Sequence, residues 1–69
     1  MKPGDLRHFH DNVNPRLRGL PFVVLEIIIP LGRKEETFYH DAKFLVDNRV
    51  ETGPYEWVNG HSEVIDEAG

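Results

Sequence analysis

The sequence predicts an all-β domain, a small antiparallel sheet of five short strands curled on itself, and three observations predict it. First, residues 22–29, Phe-Val-Val-Leu-Glu-Ile-Ile-Ile, are apolar at seven of eight positions and β-branched at five, between Pro21 and Pro30. β-Branched side chains are stiff at χ1 and pack well on a pleated surface, so the run is a strand. Second, turn chemistry recurs at short intervals: Asn14-Pro15, Asp47-Asn48, Gly53-Pro54 and Asn59-Gly60. Third, no segment sustains a 3.6-residue apolar period; the nearest, Glu35–Val46, is rich in poor helix formers.

Each element follows in order. Lys2-Pro3-Gly4-Asp5 is a turn, and Leu6–His10 a short strand with Leu6, His8 and His10 on one face and Arg7 and Phe9 on the other. Residues 11–19 form a loop whose Val13 and Leu17 tuck against the core. The central strand is expected to turn Val23, Leu25, Ile27 and Ile29 one way and Phe22, Val24, Glu26 and Ile28 the other. Thr37–Val46 is strand-like for most of its length, with Ala42, Phe44 and Val46 sharing a face. Asp47-Asn48 suits a type I′ hairpin turn, because both residues tolerate positive φ. Arg49–Thr52 returns, Tyr55–Val58 holds at most a 3₁₀ turn, and Ser62–Ile65 is the last strand. A sheet this small covers its apolar face by curling, which favours a five-stranded SH3-like barrel over residues 1–66 with a frayed tail at 67–69.

Composition narrows the function. The 69 residues make one domain without cysteine, so disulfides and thiolate-held zinc are excluded. No apolar run approaches the ~20 residues that span a bilayer, and Met1-Lys2-Pro3-Gly4 opens no signal peptide, so the expectation is a cytoplasmic protein. Residues 1–34 carry six Lys/Arg against three Asp/Glu, and residues 35–69 two against nine. The basic residues are dispersed, which argues against nucleic acid as a partner.

Gly4-Asp5-Leu6, Gly19 with Val24-Leu25-Glu26-Ile27, Ala42 through Glu51, Trp57 and Glu63-Val64-Ile65 form a pattern that resembles a class of very short phage and bacterial proteins. The resemblance runs nearly end to end and implies an SH3-like barrel rather than an activity. It places the chain in a host cytoplasm or, as an alternative, in a virion as an assembly component. Arg7 stands where that pattern has an apolar residue, which predicts a weakened first strand.

Catalysis has little support: there is no cysteine nucleophile, and Ser62 lacks a glycine-rich elbow. No cofactor is implied. Of four histidines, His8 and His10 point the same way on a strand, the geometry of a metal-chelating pair, with hydrogen-bonded or solvated imidazoles as the simpler reading. Phe38, Tyr39, Tyr55 and Trp57 are either a shallow peptide groove or, for Trp57, a plug for the open end of the sheet. The central strand is apolar on both faces. Phe22, Val24 and Ile28 therefore need a second cover, about 300 Å² of apolar surface. The expected function is non-enzymatic protein binding, with a second copy of the chain as the simplest partner.

Overall fold

The computed structural model describes residues 1–65, so the tail expected at 67–69 and the last residue of the expected domain lie outside the described residues. Five strands, β1 (Leu6–Phe9), β2 (Pro21–Ile28), β3 (Asp41–Val46), β4 (Arg49–Pro54) and β5 (Ser62–Val64), form one antiparallel sheet in the order β4-β3-β2-β1-β5. The all-β expectation holds. The sheet is nevertheless not closed: β4 and β5 are its two edges, and a short helix, α1 (Tyr55–Gly60), connects them. No helix of the described residues is long and apolar enough to cross a membrane.

The curl is visible in the core. Phe9 on β1 and Phe44 on β3 are two strands apart, about 9.6 Å in a flat sheet, yet their ring centroids are 5.6 Å apart. Phe22, between them on β2, stacks on Phe9 at 4.4 Å. These three rings, with Val24, Ala42 and Val46, fill the concave face, and Val13, Leu17 and Val58 cover it. Both loop residues expected to tuck inward do so. Gly53 lies under Val58: a Cβ there would sit 3.4 Å from the valine Cγ2, in van der Waals contact. The Asp47-Asn48 turn has positive φ at both residues, as expected.

Three expectations are corrected. Phe22 and Val24 are 2% and 1% exposed, so the face assignment in the first half of β2 is reversed. Cross-strand pairing decides it, because Phe22 faces Val46 and Val24 faces Phe44, both committed to the core. A β-bulge then inserts Leu25 between the pairs Val24–Phe44 and Glu26–Lys43, which brings Ile27 inward and leaves Ile28 outward. Next, Thr37–Tyr39 is a 3₁₀ turn and not the start of β3, closed by Tyr39 and His40 N–H bonds to the carbonyls of Glu36 and Thr37. Finally, Tyr55–Gly60 is an α-helical turn and a half rather than a 3₁₀ turn.

That helix is too short to persist by itself; residues that follow it and residues far from it in the chain satisfy its ends. The Tyr55 N–H donates to His40 O at 2.9 Å, and the His61 N–H to Trp57 O at 3.0 Å. Ser62 Oγ donates to Val58 O. Arg7 completes the set: it is buried, its Nε donates to Ser62 Oγ at 2.9 Å, and one terminal nitrogen donates to Ser62 O at 2.9 Å and Asn59 O at 3.3 Å. Far from weakening β1, Arg7 ties it to α1 and β5.

Candidate functional site

The convex outer face of the sheet carries what the core does not use. Leu6 pairs with Val23, Val23 with Leu45, and Leu45 with Val50, so one apolar row crosses β1 to β4. Ile65, whose N–H donates to Leu6 O at 3.0 Å, extends the row beyond β5. Leu25 and Ile28 also face outward along β2, on either side of Glu26. Leu6, Leu25, Ile28 and Leu45 are each about two-fifths exposed, and Val50 more so. Lys43 Nζ pairs with Glu26 Oε1 at 3.7 Å across β2 and β3, and His8 Nε2 stands 3.1 Å from Glu63 Oε1 at the flank of the row. Of the three residues expected at an apolar interface, Ile28 alone is on this surface.

The four aromatics do not line one groove. Phe38 stands edge-on to Tyr39 at 5.4 Å, and the Arg33 guanidinium lies 4.2 Å over the Tyr39 ring. Tyr55 pairs instead with His40, and its hydroxyl accepts from the Met1 ammonium at 3.2 Å. Trp57 lies against Phe9 at 6.0 Å and stacks on His61 at 4.7 Å. Residues two apart on a helix point about 200° apart, which sends Tyr55 and Trp57 to different sides of α1. No pocket opens among the described residues. Trp57 meets the core at Phe9 and is 38% exposed.

The histidines are engaged locally. His8 and His10 approach edge to face at 6.3 Å, but among the described residues no group of three His, Cys, Asp or Glu side chains could hold one metal ion. His40 is buried, and its Nε2 donates to Arg33 O at 2.7 Å, since a carbonyl only accepts. Ser62 Oγ is also committed, receiving the Arg7 proton and giving its own to Val58 O. This hydroxyl links β1 to α1.

One charged cluster lies elsewhere. Arg16 binds Glu51 through both oxygens, at 2.7 and 3.2 Å, and Arg49 adds a third contact at 3.3 Å. The Arg16 hydrogen bond holds the Glu51 carboxyl below the usual carboxylate range, and Glu51 in turn raises the Arg16 guanidinium. This cluster straps the 11–20 loop to β4.

One element of this site is not marked by composition. The bulge at Leu25 has no distinctive residue, whereas the inward place of Arg7 follows from its alternation with Leu6 and its shared face with Phe9. No protein-family model matches the chain, and no curated protein or solved structure matches it either.

Proposed function

We propose that the chain is a non-enzymatic protein-interaction module whose contact surface is the convex outer face of its sheet. The observation that carries this reading is the row Leu6–Val23–Leu45–Val50, four apolar side chains in register across four strands and turned away from the core. Scattered exposed leucines are ordinary, whereas a contiguous patch of about 300 Å² is at the low end of the largest patch a monomer carries, a patch that is often functional. Covering it contributes about 7 kcal/mol at ~25 cal/mol/Å². That is comparable to the ~4–15 kcal/mol cost of association, so the complex is reversible. The concave face offers no competing site, because three phenylalanine rings fill it.

A photo-crosslinking residue placed at position 45, in cells producing the chain, is expected to give a discrete protein adduct, and one at position 35 none. Absence of an adduct from position 45 removes the reading.

A further inference from the structure

We infer that the free edge of β4 is a docking site for an extended, uncharged segment of another protein, which joins the sheet as a further antiparallel strand. This contact at the rim of the sheet is separate from the outer-face contact proposed above and does not depend on it.

In an antiparallel pair, alternate residues turn their N–H and C=O toward the neighbour, and the residues between turn theirs away. The bond from the Tyr55 N–H to His40 O continues the β3–β4 register and fixes its phase, so Gly53, Glu51 and Arg49 bond inward to β3. Val50, Thr52 and Pro54 therefore point their backbone groups off the sheet. Among the described residues, no other backbone group bonds those of Val50 or Thr52. Unpaired groups in a row along an edge are a template for one more strand.

The opposite edge is less open. The bonds from His10 N–H to His61 O and from Ile65 N–H to Leu6 O turn Ser62 and Val64 off the sheet at β5. Ser62 is buried, however, and its carbonyl already accepts from Arg7. At β4, Val50 is 58% exposed, and Glu51 is held by Arg16 and Arg49. Neither outward residue there, Val50 or Thr52, carries a charge, which suits an uncharged segment.

The fit excludes a second β4 as the occupant. Three antiparallel registers could pair the outward groups of two copies, and each has a fault. Centred on Glu51, the pair sets that carboxylate directly against its counterpart, a like-charge contact. Centred on Thr52, it sets Val50 against Pro54, which has no N–H to donate. Centred on Val50, it sets Thr52 against Asn48, whose positive φ takes it out of the strand. A segment of another protein carries none of these faults. Its residues opposite Thr52 and Val50 each exchange two backbone bonds with the edge. An aliphatic side chain opposite Val50 lengthens the row Leu6–Val23–Leu45–Val50 by one strand.

Titration of the isotope-labelled full chain with the blocked peptide acetyl-Ser-Thr-Thr-Ser-Ile-Ser-amide, followed by amide NMR shifts, tests the site. Half-saturation is expected below about 5 mM. The largest shifts should fall on Val50 and Thr52, and hydrogen exchange of those two amides should slow. Methylating the isoleucine nitrogen of the peptide should weaken binding at least ~10-fold. Thr52→Pro should do the same with an unchanged circular dichroism spectrum, because it repeats at an outward position the proline that β4 already has at Pro54. The methylated peptide alters only the ligand, so it decides the matter even where Thr52→Pro fails to fold. Absence of saturable shifts overturns the inference, as does equal binding of the methylated peptide. Shifts centred on Val64 move the site to β5, and shifts centred on Val23 and Leu45 move it to the outer face; either overturns the β4 edge. Amides of Val50 and Thr52 that are protected in the concentrated free chain and exchange on dilution would give the edge to a second copy, which overturns it as well.

Discussion

Arg7 Nε donates to Ser62 Oγ over 2.9 Å with both side chains buried, and the same guanidinium reaches the carbonyls of Ser62 and Asn59. A cation beside the last carbonyls of α1 also meets the negative end of its dipole. Arg7→Leu keeps apolar bulk but leaves those acceptors short of donors, so stability should fall by about 2–3 kcal/mol. Arg7→Lys should restore little, because a single ammonium cannot reproduce the planar fork. Ser62→Ala should cost about 1 kcal/mol. Urea midpoints of the three variants decide this, and an Arg7→Leu protein as stable as the parent would remove the role given to the guanidinium.

The bulge makes a sharper statement about the chain. Since Leu25 has no partner on β3, its deletion leaves Val24 opposite Phe44, Glu26 opposite Lys43 and Ile27 opposite Ala42. The shortened β2 still alternates correctly, and only the local bend is lost. Deletion of Leu25 should therefore give a protein that unfolds cooperatively, within about 2 kcal/mol of the parent. Deletion of Val23 drives Phe22 to the outer face, and burial of a Phe is worth about 3–5 kcal/mol, so that chain should not fold. Thermal unfolding followed by circular dichroism separates the two; equal behaviour would mean that the bulge does not set the register.

These two sites also show what could and could not be read from the residues alone. Ala42, Phe44 and Val46 alternate with polar or exposed neighbours, so the core face of β3 was legible, and so was the turn at Asp47-Asn48. In β2 nearly every position is apolar, and alternation then carries no sign. The face is fixed by partners on β1 and β3, which are non-local information. For the same reason α1 was not legible. Its carbonyls are met by Arg7 and Ser62 and its first N–H by His40, and no local propensity announces such partners. The candidate surface inherits this error: a surplus apolar face in β2 was evident, but which residues compose it depended on Leu25.

Glu51 gives a pH dependence with a definite sign. Its folded pKa is lowered, chiefly by the Arg16 hydrogen bond. Such a group contributes stability above its unfolded pKa, and that contribution is lost as pH falls through the folded pKa. Glu51→Gln should accordingly be less stable than the parent at neutral pH, with the two converging in acid. The pair lies at the surface, so the difference should be small and should shrink in high salt. Melting temperatures measured across the acid range suffice; a gap that persists once Glu51 is protonated would assign its effect to packing instead.

Trp57 is the only tryptophan, and it stacks on His61 at 4.7 Å with 23° between the rings. The His61 Nδ1 is held by its own backbone turn, donating to Trp57 O at 2.8 Å. The imidazole is therefore fixed against the indole face and shields that face from water. His61→Ala should accordingly expose the indole and move its emission to longer wavelength, whereas His10→Ala, on the neighbouring segment, should leave the emission where it is. Denaturant should erase the difference between the parent and His61→Ala, since the stack exists only in the folded chain. An emission maximum that His61→Ala leaves unmoved would show that the imidazole does not shield Trp57, and the stacked pair would lose its value as a reporter of the α1 end of the fold.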